Sequence, residues 1–125
     1  MTRTVIAVVD DLFFASKIRG TAEQLGVKVV FAKTIDAAIE AAENEQPSLI
    51  IADLHSERCD AMELARRLKS DERLCGVRLI GFFSHVQTDF QRRAEAAGFD
   101  QVMPRSAFTQ KLSDLLKDAL ERTRP

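Results

Sequence analysis

The chain has 125 residues, 46% hydrophobic and 30% charged, with 5 Gly, 3 Pro, 2 Cys and no Trp. At this size roughly two-thirds of the unfolded surface can be buried, so one ordinary globular domain is expected, and disordered, collagen-like and mini-protein architectures are excluded. Eighteen basic against nineteen acidic residues leave a formal charge of -1, which argues against direct nucleic-acid contact or an anionic membrane as partner.

The first apolar run, 4–9, is strand-length and continuously apolar, as a strand buried on both faces should be. Asp10 and Asp11 end it at once, too early for a signal-peptide core or a membrane span. Phe14, Ile18, Ala22 and Leu25 then share one helical face, and Gly26 stands where that helix should stop. A second strand is predicted over 28–32, followed by a helix that buries Ile35, Ala38, Ile39 and Ala42. Residues 49–52 form the third strand, ended by Asp53; Asp60 then N-caps a helix with the stripe Ala61, Leu64, Ala65, Leu68. The fourth strand, 78–83, ends at Ser84, and a weaker stripe of Phe90, Ala94 and Ala97 stops at Gly98. After a short fifth strand, 101–103, Ser106 is the expected N-cap of a last helix that buries Phe108, Leu112, Leu115, Leu116 and Leu120. Cys59 and Cys75 lie in no C-x-x-C or Cys/His cluster and read as two core thiols of a cytosolic protein rather than zinc ligands.

Strict alternation of strand and helix implies parallel strands joined by right-handed crossovers, hence a doubly wound α/β sheet. Five strands fit the order 2-1-3-4-5, and the glycine-free first turn, Asp10-Asp11-Leu12-Phe13, rules out a dinucleotide phosphate loop. In such sheets ligands bind beyond the carboxyl ends of the strands, where the strand order reverses. That rule selects Asp10, Asp11, Asp53, Ser84 and Arg105. Three carboxylates in a small volume repel one another, and a cation is the natural remedy. Oxygen-only ligands suit a hard ion, Mg²⁺ before Ca²⁺. Ser84 and Arg105 offer a donor and a positive charge to an incoming anion. Phosphoryl chemistry fits this set, with Asp53 as nucleophile and the Asp10–Asp11 pair on the metal side. The plainer reading of any one of these residues is a helix cap at a strand-to-helix turn.

The stretches Ile6-Ala7-Val8-Val9-Asp10-Asp11 and Leu49-Ile50-Ile51-Ala52-Asp53-Leu54, followed by Asp60, Met62, Glu63 and Leu64, together with Ser84 and Gly98-Phe99-Asp100, resemble the receiver domain of two-component response regulators from end to end. The resemblance implies a flavodoxin-like (βα)5 three-layer sandwich filling residues 1–125 as a single cytoplasmic domain with no output domain. It implies phosphorylation of Asp53, with Mg²⁺ held by Asp10, Asp11, Asp53 and the backbone carbonyl of His55. The phosphodonor would be a histidine kinase, a phosphotransfer protein or a small acyl phosphate. Any enzymatic activity would be limited to self-phosphorylation and self-dephosphorylation at Asp53. Output would pass by protein contact to a downstream target, and a homodimer would use the face of the fourth helix, fifth strand and fifth helix, residues 87–122.

Departures from the pattern define the alternative. Met103-Pro104-Arg105-Ser106 replaces the usual Lys-Pro, Val102 replaces the switch aromatic, and His85 follows Ser84 where a small residue is preferred. Ser56, Glu57 and Arg58 replace the usual apolar-Pro-Gly turn, and Ala61 stands for a Gly. A pseudo-receiver that acts as a phosphorylation-independent interaction module would tolerate all of these. His55 lies two residues past Asp53, where it could influence water attack or sense pH; solvation is its plainer role. A cobalamin reading of Asp53-Leu54-His55 fails because Arg58 sits where a glycine belongs, and a flavin reading lacks Trp, Tyr and a Ser/Thr/Gly-rich phosphate loop.

Overall fold

The computed structural model describes residues 4–56, 58–84 and 88–121. His85 and the boundary residues 87 and 122 of the expected partner face lie outside these, as does the side chain of Phe90. Strands β1 (Thr4–Val8), β2 (Lys28–Phe31), β3 (Leu49–Asp53), β4 (Arg78–Phe83) and β5 (Gln101–Pro104) alternate with helices α1 (Leu12–Leu25), α2 (Ile35–Glu45), α3 (Ala61–Ser70), α4 (Thr88–Ala97) and α5 (Arg105–Glu121). All strand pairs are parallel and the sheet order is β2-β1-β3-β4-β5. The fold class and strand order are therefore those expected, and each strand lies within a residue of its expected bounds.

Alternation along the buried strands divides the interior into two layers. Val5, Ala7, Leu49, Ile51, Ile80 and Phe82 face α1 and α5, while Ile6, Val8, Ile50, Ala52, Leu79 and Phe83 face α2, α3 and α4. Helix stripes meet these faces at the expected positions: Phe14, Ile18 and Ala22 from α1, and Leu64, Ala65 and Leu68 from α3, are buried. In α5 the buried face runs Phe108, Leu112, Leu115, Leu116 and Ala119, so Leu120 lies exposed rather than in the core. One step along a helix turns a side chain by about 100°, and Ala119 has taken the inward position.

Helix ends also follow local chemistry. Gly26 closes α1 at φ 74, and Gly98 follows α4 at φ 126, both in backbone regions that side chains disfavour. Asp60 caps α3 by accepting from the Met62 and Glu63 N–H groups at 3.0 and 3.2 Å. Two expectations are corrected. Ser106 is no cap, because β5 runs through Pro104 directly into α5, which begins at Arg105. Cys75 is exposed; only Cys59 is a core thiol. Burial, followed by the charges of Asp10 and Asp60, pushes the Cys59 thiol up to about 11, so it stays protonated at neutral pH.

Candidate functional site

The strand order reverses between β1 and β3, so the carboxyl ends of these neighbours bring Asp10, Asp11 and Asp53 to one rim of the sheet. Each of the three carboxylates has a different environment. Asp53, the last residue of β3, is half-buried, and its Oδ1 accepts the His55 N–H at 2.9 Å. Its carbonyl accepts the Ser56 N–H at 3.2 Å, closing a tight turn. That turn delivers the Ser56 hydroxyl to Asp10, where Oγ donates to Oδ2 at 2.7 Å while accepting the Cys59 N–H at 3.3 Å. The other oxygen of Asp10 is buried with no hydrogen-bond partner among the described residues.

Asp11 is the N-cap of α1, with Oδ1 accepting from the Phe13 and Phe14 N–H groups at 2.9 and 3.2 Å. Its Oδ2 accepts from Arg105 Nη2 at 2.7 Å. The Arg105 guanidinium lies over the Phe14 ring, 4.3 Å from its centroid, a cation–π contact that fixes the plane of the fork. Phe14 belongs in turn to a cluster with Phe82 and Phe108, at centroid distances of 4.8 and 5.6 Å. Arg105 is thus held from two sides, by a carboxylate and by the edge of the core.

These environments drive the carboxyl groups in opposite directions. The Arg105 hydrogen bond and then the Phe14 N–H hold Asp11 below its ordinary value of 3.8. Loss of water around Asp53 holds that carboxyl above 3.8, against the smaller stabilising effects of the His55 N–H, the His55 charge and Arg105. Asp11 therefore contributes stability above 3.8 that is lost as pH falls through its lowered value. Asp53 does the reverse: its ionised form is a cost to the fold, absent below 3.8 and complete above its raised value. Asp53→Asn is expected to raise the Tm at pH 7 by about 3 °C. Parallel thermal melts should show that gain shrinking as pH is lowered towards 3.8. A variant equally stabilised, or destabilised, across the whole pH range would show that desolvation of Asp53 is not the cause.

Of the remaining expected site residues, Ser84 is exposed just beyond β4, and Arg105 opens α5. Val102 is partly buried against the α2–α4 layer. Sequence reasoning missed Ser56 as a partner of Asp10 and Phe14 as a seat for Arg105. Nothing local signals either, since Ser56 and Asp10 are 46 positions apart and Phe14 also fits an ordinary helix stripe.

No protein-family model matches the chain, and no curated protein matches it in sequence. Solved structures do match in shape. A response regulator from Hahella chejuensis superposes with a TM-score of 0.86 at 16% identity, covering 99% of both chains. The phosphorylated cyanobacterial phytochrome response regulator RcpA gives 0.84 at 16% identity, covering 99% of this chain and 98% of its own. The Mn²⁺-bound form of the response regulator Rcp1 gives 0.80 at 12% identity, covering 98% of this chain and 97% of its own. The chain has the fold of a response regulator receiver. Within that receiver fold, the segment 103–106 departs from the usual Lys-Pro without a detour in the chain, because Pro104 still pairs with Phe83 in β5 and α5 starts at the next residue.

A divalent ion at the receiver rim meets a mixed set of groups here. The partnerless Asp10 oxygen suits a cation, but both oxygens of Asp11 are already engaged. Among the described residues, no group of three or more His, Cys, Asp and Glu side chains is placed to hold a metal ion. With Arg105 on Asp11, the residues present do not fit a metal ion.

Proposed function

We propose that the chain is a receiver module of two-component signalling in which Asp53 accepts a phosphoryl group and the result is passed on by protein contacts. The Asp53 carboxylate carries this reading: it stands at the strand-order reversal, half-buried, with one oxygen held by the His55 N–H. Desolvation makes it a more basic, hence better, nucleophile than an exposed carboxylate. In the transfer an Asp53 oxygen forms the new P–O bond. The bond to phosphorus in the donor breaks, releasing imidazole from a phosphohistidine or carboxylate from an acyl phosphate. The partners are therefore a histidine kinase or phosphotransfer protein upstream and a target protein downstream. Leu12 and Phe13 support docking at this rim, since they directly follow Asp11 and are 76% and 91% exposed. No helix among the described residues is long and apolar enough to cross a membrane.

A specific observation favours the second reading, a pseudo-receiver that binds partners without phosphorylation. The Arg105–Asp11 pair at 2.7 Å neutralises part of the rim from within and draws the guanidinium onto Phe14.

One experiment separates the two. The protein and its Asp53→Asn variant are incubated with acetyl phosphate, with and without Mg²⁺, and weighed intact. The phosphorylation reading expects one phosphoryl group on the wild type and none on the variant. No adduct, together with no shift of the backbone amide NMR resonances on adding beryllofluoride, establishes the pseudo-receiver. An adduct that persists in Asp53→Asn moves the acceptor elsewhere.

A further inference from the structure

The acidic rim contains one cation whose position is set by more than charge. Arg105 follows Pro104 of β5 with no intervening loop, so its backbone is tied to the sheet on one side and to α5 on the other. Its guanidinium meets Asp11 Oδ2 at 2.7 Å and the Phe14 ring at 4.3 Å. Phe14 is itself only 6% exposed and wedged against Phe82 and Phe108. Asp11 in turn has little freedom, because its other oxygen caps α1. A charge-assisted hydrogen bond between two preplaced groups is stronger than one between flexible surface side chains. On the other side of the rim, Asp10 is drawn towards Ser56.

We propose that Arg105 is the resident cation of this rim and that it excludes a divalent ion. The guanidinium and the metal compete for Asp11, so the chain takes up Mg²⁺ or Mn²⁺ only when Arg105 leaves that carboxylate. This inference rests on the Arg105–Asp11–Phe14 geometry and holds whether or not Asp53 accepts a phosphoryl group. The size of the effect follows from competition. If the paired state outweighs the open state by about tenfold, the apparent metal affinity falls by about the same factor. Mg²⁺ is especially sensitive, since it gives up water reluctantly and needs well-placed carboxylates. Lysine at this position would be a weaker block, because its ammonium lacks the planar fork that both reaches Asp11 and lies on Phe14.

Mn²⁺ serves as the probe, with binding followed by water-proton relaxation in the wild type, Arg105→Ala, Arg105→Gln and Arg105→Ala/Asp11→Asn. Backbone amide NMR spectra check that each variant keeps the fold. Glutamine keeps most of the side chain over Phe14 without the charge, and asparagine at 11 retains the cap. The expected result is weak binding by the wild type, binding tightened about tenfold in both single variants, and loss of that gain in the double variant. Affinities of both single variants within twofold of wild type would overturn the proposal. So would a gain that survives Asp11→Asn, since the metal would then not be using the carboxylate that Arg105 releases.

Discussion

Phe82→Ala is expected to lower stability by about 4 kcal/mol, the largest loss anticipated for a single side chain here. Phe82 is fully buried, and its ring packs against both Phe14 and Phe108, at centroid distances of 4.8 Å to each. Truncation therefore removes contacts with α1 and α5 at once, and the two remaining rigid rings, Phe14 and Phe108, cannot collapse easily into the void. The strand position matters too. Phe82 is the register partner of Asp53, and its carbonyl accepts the Leu54 N–H at 3.0 Å. The same cavity would undermine Phe14, the seat of Arg105. Urea denaturation should place the midpoint of Phe82→Ala far below that of Phe82→Leu, which keeps most of the volume and should lose only about 1 kcal/mol. A loss near 1 kcal/mol for both would mean that the aromatic cluster does not join the two helices to the sheet.

Gly81→Val is expected to cost about 3 kcal/mol, by overpacking rather than by a cavity. Gly81 faces the opposite layer from Phe82, and a Cβ built there would stand 2.9 Å from Leu54 Cδ2 and 3.1 Å from Phe99 Cδ1. Both neighbours are buried, so neither can swing into solvent. Leu54 follows Asp53 directly, and pushing it aside displaces the turn in which the His55 N–H holds Asp53 and Ser56 reaches Asp10. The stability loss should thus come with chemical-shift changes at residues 53–56 and a slower reaction with acetyl phosphate if Asp53 is the acceptor. Gly81→Ala should give the same pattern more weakly. If the loss of stability leaves the 53–56 amides unmoved, the glycine serves packing alone. The close approach of Leu54 and Phe99 to Gly81 is then unrelated to the site.

Much of this architecture is legible in the chain because buried strands and amphipathic helices write themselves as local periodicity. The runs 4–9, 49–52 and 78–83 are apolar on both faces, as strands covered by helices on both sides must be. Gly26 and Gly98 mark helix ends because those positions take positive φ. α2 ends instead at Gln46, which adopts φ 48 without any glycine to announce it. Ser106 illustrates the limit from the other side. A serine before an apolar stripe is a sound cap signal, yet α5 starts one residue earlier because Pro104 completes β5 and the backbone turns straight into the helix.

The site divides in the same way. Its location follows from the sequence alone, because alternating elements dictate a parallel sheet and a parallel sheet concentrates ligand groups at its carboxyl rim. Asp10, Asp11, Asp53, Ser84 and Arg105 could all be named from that rule. Their pairing could not. Arg105 and Asp11 are 94 positions apart, and the contact depends on how α5 leaves β5 and on where the Phe14 ring lies. The sequence by itself determined the fold class, most of the buried faces and a near-neutral chain with acidic residues gathered at one rim. Only the tertiary structure decided that two neighbouring aspartates part company, one turned to Ser56 and the other to an arginine. The reason is physical: hydrophobic periodicity is a local property of the chain. The partner of a charge is settled by distances of a few ångströms between elements that only folding brings together.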